Sequence, residues 1–471
     1  MFTVGRRGTA RLAAAVLASG LFAAGAITGA GSALADDSPA PAAGGATATL
    51  GQLTTFDQAT IHDGGNRFEV EAGLFQMSVA GRGTISTYCI DLHDATQPNA
   101  QYQEVPWGSS SLGTNPNSGK IEWILHHSYP QVTDLQQLAQ EAGSGPLTPQ
   151  LAAAGTQVAI WRYSDNADVT ADNDAAEKLA DYLTQAAQPT AEPNASLNLT
   201  PPAVSGKAGA QIGPVTVHTD APSVQVSLSA QSAGSGVTVV DKSGKPVSSA
   251  VDGSQLYFNI PAGTPAGSAT LNVQATATVP VGRVFKDVLD GQWGKPASQL
   301  QILAGSSDST VSAQATVSWA KQGAIPAVSA MVDCAKGGVD VSVGNQGSEA
   351  FTFQLAGKEY TVAAGESRTI TVPETEGRSY AITLTGANGF KKVFTGMLNC
   401  KTAGSGGNSA VSVHSAKPSP TPAPVPAGKN LAETGSSNAT PYLAGAAASL
   451  VVIGGGMVFF LRKRKATPSG K

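Results

Sequence analysis

The chain has 471 residues, 29 Lys and Arg against 33 Asp and Glu for a formal net charge of -4, and only 13% charged residues. Soluble globular domains carry about 25% charged residues, so this composition, with 54 Gly and 28 Pro, points away from a charged cytosolic enzyme and toward β-sandwiches and linkers at a cell surface. The length allows about three domains of roughly 150 residues; no internal basic stretch supports nucleic-acid binding, and three Cys are too few for a disulfide-built scaffold.

In chain order, residues 1–35 come first. Arg6, Arg7 and Arg11 precede an apolar run from Leu12 to about Ile27, which closes on Ala33-Leu34-Ala35. That is the layout of a secretory signal, with cleavage expected between Ala35 and Asp36 and with the general or the twin-arginine route open. Residues 36–48, rich in Ala, Pro and Gly, read as a disordered linker.

The first domain is assigned to 49–190. Within it Thr84–Leu92 reads as a strand that carries Cys89, with Ile85, Thr87, Cys89 and Asp91 on one face. Thr148-Pro149 is a strong helix start, Thr as N-cap and Pro at the first helical position. On the helix that follows, to about Tyr163, Gln157 shares a face with Ala153, Ala154, Ile160 and Trp161. An unmodified amide there is either fully hydrogen-bonded in the core or chemically used. The His126-His127 pair reads as a helix end. Asp91 and His93 read as a surface acid and a partly buried imidazole.

Two elements of this domain, Tyr88-Cys89-Ile90-Asp91 and Thr156-Gln157-Val158-Ala159-Ile160-Trp161, resemble the thioester domains, or TQXA domains, of Gram-positive surface adhesins. Ile121–Leu125 and Ser128-Tyr129-Pro130 also fit the actinobacterial branch. The resemblance covers about residues 50–188 and implies an α+β domain in which Cys89 and Gln157 form an internal thioester, with Tyr88 and Trp161 as lid candidates. It further implies capture of an amine, such as a Lys on a target surface, as an amide of Gln157. Such a module acts once rather than turning over and uses no cofactor and no metal.

Beyond Gln188 the pattern changes to short alternating runs, Val224–Leu228 and Thr270–Gln274 among them, the signature of an all-β sandwich. Residues 191–322 are assigned to one sandwich. A second, Ig-like, spans 323–402 with strands at Val339–Val343, Phe351–Leu355 and Tyr380–Leu384. It is bracketed by Cys334 and Cys400, which in an exported chain are natural disulfide partners, the alternative being two buried thiols. Pairing them leaves Cys89 alone.

Residues 403–430 form a Pro-rich spacer, stiff and extended. Within 431–471, Leu431-Ala432-Glu433-Thr434-Gly435 precedes an uncharged span, 442–461, long enough to cross a bilayer, and then Arg462-Lys463-Arg464-Lys465. This resembles the LPXTG-type sorting signal of sortase substrates, with Ala432 in place of Pro. The resemblance implies cleavage between Thr434 and Gly435 and amide linkage of Thr434 to peptidoglycan, so the membrane is touched only before sorting. The two ends hold three and five basic residues and no acidic one, so the mature chain has 21 basic against 33 acidic residues, net -12.

The expected protein is therefore multidomain and mainly β: a thioester head, two sandwich stalk domains, a spacer and a wall anchor, working as a covalent adhesin at the cell surface. Two other readings stand beside it: a structural surface protein without covalent capture, and a cysteine hydrolase or acyltransferase with His126 or His127 as base.

Overall fold

The computed structural model describes residues 44–229, 236–288 and 298–401. The expected signal, spacer, sorting pentapeptide and apolar span lie outside these residues. Among the described residues no helix is long and apolar enough to cross a membrane.

The first domain is built on a closed ring of antiparallel strands. β1 (Thr47–Asp63) and β2 (Asn66–Val79) form a long hairpin. Its Gly64-Gly65 turn has φ of +55° and +88°, which only Gly takes without strain. β3 (Thr84–Cys89) pairs with β2, and β4 (Gln101–Val105) pairs with the start of β1. β3 and β4 are not neighbours. Between them lie two strands from far downstream, Gln301–Ser306 on β3 and Val284–Asp287 on β4, which also pair with each other. The ring thus closes through β1, and β5 (Val169–Ala171) extends it along β1. The helices α1 (Ser118–His126), α2 (Leu135–Glu141), α3 (Pro149–Ser164) and α4 (Asp174–Ala186) share an apolar core with these strands.

Two boundaries differ from the sequence reading. Residues 44–48, expected as linker, are ordered: Ala46 and Ala48 are buried, Gly45 bridges Ser312, and β1 starts at Thr47. The Ala-Thr alternation of 46–49 already has the strand period. Residues 284–306, expected inside the 191–322 sandwich, instead complete the first domain. A period-2 or short apolar run specifies a strand but not its partner, so this excursion looks like two more sandwich strands.

The sandwich itself is assembled from 197–279, inserted between the first domain's helices and the returning strands, and from 308–320, which follows those strands. Its four-stranded sheet orders Thr238–Val240, Gln255–Asn259, Gln211–Thr219 and Leu197–Thr200. Its five-stranded sheet orders Ser249–Ala250, Val224–Leu228, Gly267–Thr278, Asp308–Ala320 and Ala203–Lys207. Only Ser307 separates Gln301–Ser306 from Asp308–Ala320. One apolar core runs from the sandwich (Phe258, Leu271, Val317) to the ring residues Leu50, Tyr102, Phe285 and Leu303, so the two domains share their packing.

A third unit stacks the strands Pro326–Asp333, Gly338–Asn345 and Ser367–Pro373 on Lys358–Val362, Phe351–Leu355, Arg378–Gly386 and Lys391–Leu398. Val341, Val343, Phe353 and Leu384 fill the space between the sheets. Cys334 and Cys400 are disulfide-bonded across 66 residues with Cα atoms 5.2 Å apart, a closure worth roughly 4 kcal/mol by the chain-entropy model. This unit touches both others: Ser205 Oγ donates to Ile325 O (2.6 Å), Ser109 Oγ to Val332 O (2.9 Å) and Lys286 Nζ to Met397 O (2.8 Å). In place of a stalk strung out in chain order, the last domain leans back on the first.

Candidate functional site

α3 begins as the sequence predicts, with the Thr148 side chain accepting from Leu151 N and Pro149 at the first position. The expected apolar stripe is wider than expected, since every residue from Ala152 to Trp161 is buried. Small residues on the back of the helix account for this. A Cβ on Gly155 would lie 2.5 Å from Ala176 O, so glycine lets α4 close over that side.

Buried between α3 and β3, Gln157 is held at both ends of its amide by one residue. Cys89 N–H donates to Gln157 Oε1 at 2.9 Å, and Gln157 Nε2 donates to Cys89 O at 2.8 Å. Gln157 is 0% exposed and Cys89 4%. The two sequence-predicted residues, 68 positions apart, are therefore side by side, and the carbonyl oxygen of the amide already faces a backbone donor. Burial pushes the Cys89 thiol up, with the carboxyls of Asp91 and Asp165 adding to the effect and a hydrogen bond from Gln301 opposing it.

That Gln301 contact was not legible as part of the site. Gln301 Nε2 donates to Cys89 Sγ at 3.1 Å, while its Oε1 accepts from Thr87 Oγ1 at 2.9 Å. Gln301 sits opposite Cys89 in the β-ladder and is 0% exposed. The available signal was the spacing of Gln299 and Gln301 around Leu300, at the start of the apolar run that continues to Ala304, two amides where a buried strand has little use for them.

Asp91 corrects an expectation. Instead of a surface acid it is fully buried, its carbonyl accepting from Gln299 Nε2. Its carboxyl is held well above the usual carboxylate range by burial first and then by Asp165 and Asp94. Asp165, at the end of α3, accepts from Leu92 N (3.0 Å) and Ser164 Oγ (2.6 Å), which ties the helix end to the chain leaving β3. Burial raises its carboxyl too.

Tyr88 and Trp161 are both buried beside this pair. The Tyr88 hydroxyl donates to Tyr129 O at 2.7 Å, so the turn after α1 is pinned against β3. The two histidines are engaged elsewhere. His126 Nε2 lies 2.9 Å from Glu122 Oε1, and His127 stacks on Trp123 with its Nδ1 2.8 Å from Trp123 O. They sit at the end of α1, as the sequence indicates. Among the described residues no group of His, Cys, Asp and Glu is placed to hold a metal ion.

Glu122 is another perturbed acid of this domain. It is buried under Gly282, where a Cβ would lie within the reach of its Oε2. Its pKa is raised to about 8 by burial, with Arg283 opposing and Glu192 adding to the rise. A carboxyl whose folded pKa exceeds the ordinary 4.5 stabilises the fold fully below that ordinary value and loses the contribution as pH rises through about 8. Glu122→Gln, which stays neutral, is expected to flatten the fall in stability between pH 5 and 9 and to gain on the order of 2–4 kcal/mol at the alkaline end. Denaturant midpoints across that range check it; parallel wild-type and variant curves would count against it.

Residues 86–189, which contain this pair, match the family model of the thioester domain. Thioester domains are self-reactive covalent-binding modules rather than classical enzymes. Residues 326–397 match the model of the bacterial phospholipase C, C-terminal domain, which corresponds to the third unit. Among solved structures, the Bacillus anthracis TIE protein is 15% identical, with 76% of this chain and 81% of that one covered at a TM-score of 0.27. The thioester domain of the Enterococcus faecium TIE86 protein is 14% identical, with 59% of this chain and 97% of that one covered at a TM-score of 0.26. No curated protein matches the chain.

Proposed function

We propose that the chain is an exported surface protein that captures an amine-bearing partner covalently through a Cys89–Gln157 thioester. The observation that carries this reading is the double hydrogen bond between the Gln157 amide and the Cys89 backbone in a buried pocket, inside a segment matching the thioester domain.

The chemistry proceeds in two steps. Cys89 Sγ attacks Gln157 Cδ, and the negative charge that develops on Oε1 meets the Cys89 N–H already 2.9 Å away, an oxyanion donor that needs no reorganisation. The C–N bond then breaks, and Nε2 leaves as ammonia with the thiol proton. Because burial keeps the thiol protonated, that proton moves during the attack, and the carboxyls of Asp91 and Asp165, whose charges act on the thiol, are the candidate relays. In the second step a partner amine attacks the same carbon. A new C–N bond forms, the C–S bond breaks, and Cys89 recovers a proton from the amine. Burial of the pair, with Tyr88 and Trp161 as lid, keeps water from competing.

The ends of the chain complete the reading: export with cleavage between Ala35 and Asp36, sortase cleavage between Thr434 and Gly435, and attachment of Thr434 to peptidoglycan. The partner is a macromolecule with an accessible amine, such as a protein Lys, and the acidic mature surface favours basic ones at long range. The sandwich domains then present the reactive site above the wall.

Intact mass tests this reading. Mature protein is expected to be lighter than its sequence by one ammonia, to gain one methylamine when treated with it, and to do neither as Cys89→Ala or Gln157→Ala. An unmodified mass with no methylamine adduct overturns it and leaves a structural surface protein. Rapid alkylation of native Cys89 without any ammonia loss favours the hydrolase reading, although His126 and His127 are bonded to Glu122 and Trp123.

A further inference from the structure

We infer that Gln301 is a catalytic residue of the thioester site: its Nε2–H donates to Cys89 Sγ and carries the charge that appears on the sulfur when the thiol gives up its proton and again when an amine expels it. The inference rests on the thioester reading above and concerns a residue outside the segment matching the thioester domain.

The argument turns on what the amide is bonded to. Asn345, a fully buried amide of the third unit, gives its Nδ2 to the carbonyls of Glu349 and Val362 and accepts the N–H groups of Ile325 and Gly347. That is a core amide satisfied by strong backbone partners. Gln301 is equally buried, yet its donor points at a sulfur, a weak acceptor as a thiol. The bond gains strength only when charge builds on that atom. An interaction weak in the ground state and strong when charge develops accelerates a reaction instead of merely stabilising a fold. Its aim is fixed as well: Thr87 Oγ1 holds Oε1, and the ladder sets Gln301 against Cys89 and Leu303 against Thr87. Cys89 N–H serves the oxygen of the reacting amide, and Gln301 serves the sulfur. The two donors cover both atoms on which charge appears, and removing one such donor costs about a hundredfold in the best-studied cases.

The placement also sets an order of events. Gln301 follows the inserted segment 197–279 of the sandwich, so a chain that ends at residue 190 has Cys89 and Gln157 but lacks the sulfur's donor and two staves of the ring.

The test uses the full mature protein as Gln301→Met, which keeps much of the bulk without the donor, and as Thr87→Val, which keeps Gln301 but releases its carbonyl. Methylamine opening of the formed thioester is expected to slow by about tenfold or more in Gln301→Met and by less in Thr87→Val. A second measurement does not depend on the thioester. In Gln157→Ala, where Cys89 is the sole thiol beside the Cys334–Cys400 disulfide, the S–H stretching band is expected to shift when Gln301→Met is added. A merely structural Gln301 lowers the unfolding temperature and leaves the rate in place, whereas an unmoved band shows that the hydrogen bond to the sulfur is absent in solution and overturns the inference. Wild-type protein that carries the thioester, with variants opening it within about twofold of the wild-type rate, overturns the inference alone. Wild-type protein without the ammonia loss overturns the thioester reading and this inference with it. Should Gln301→Met not fold, an unchanged rate in Thr87→Val is the overturning result.

Discussion

Gln157→Glu is expected to remove covalent capture completely while leaving the fold in place. The substitution exchanges one amide nitrogen for oxygen, so the shape of the pocket between α3 and β3 is kept. What changes is the leaving group: ammonia departs from the tetrahedral intermediate, whereas a protonated carboxyl would have to lose water, the reverse of the hydrolysis that consumes a thioester, and a carboxylate would have to lose oxide. A glutamate is also what hydrolysis of the thioester leaves behind, so the variant reproduces the spent site. Held between Cys89 N–H and Cys89 O, the new side chain can satisfy both partners only as a protonated acid, one oxygen accepting and the hydroxyl donating. Burial favours that form. Its folded pKa is thus expected above the ordinary carboxylate value, and its stabilising share is lost as pH rises through that folded pKa. Intact mass and a methylamine challenge at pH 6 and 8 read the chemistry, and denaturant midpoints at the same pH values read the fold. An ammonia-light species or a methylamine adduct in Gln157→Glu would show that the acyl group does not come from Gln157.

Most of the acyl side of this site was legible in the sequence because it is local. Thr148-Pro149 starts α3, periodicity puts Gln157 on its buried face, and Thr84–Cys89 alternates as a strand. Each of these rests on contacts within a few residues. The sulfur side was not legible, since Gln301 reaches Cys89 only through the closure of a ring whose two missing staves follow an inserted domain. Strand period carries no record of the partner strand. Asp91 was misplaced for a related reason. Its type argues for exposure, and its burial follows from the same return of Gln299 and Gln301 against the end of β3. The disulfide lay between these extremes, because two Cys at the ends of one sandwich constrain each other without a knowledge of topology.

The same topology makes Arg283→Met the most damaging single change expected outside the reactive pair. Arg283, 4% exposed, is the first residue of the chain's return to the ring. Its Nε donates to Glu104 Oε1 at 2.9 Å, and its Nη1 to Glu192 Oε1 at 2.8 Å and to Pro193 O at 3.1 Å. Glu104 is 0% exposed and also accepts from Ala46 N and from the N–H and hydroxyl of Ser196. One carboxylate and one guanidinium therefore clasp three places: the start of β1, the exit toward the sandwich at 192–196 and the re-entry at 283. Met is similar in bulk, so packing is nearly conserved and the loss is electrostatic. Removing one member of a buried pair costs about 3–5 kcal/mol because the remaining charge is uncompensated, a large part of a domain's usual 5–15 kcal/mol. Pairing Arg283→Met with Glu104→Gln removes the orphaned charge and leaves one amide oxygen to accept from the N–H groups of Ala46 and Ser196, so the double variant is expected to recover part of the loss. Additive losses in that cycle would mean that the two residues do not act as a pair. If instead the clasp holds the returning strands in register, Arg283→Met will also lower the fraction of chains that lose ammonia, since Val284–Asp287 and Gln301–Ser306 pair with each other and the second of them brings Gln301 to the sulfur.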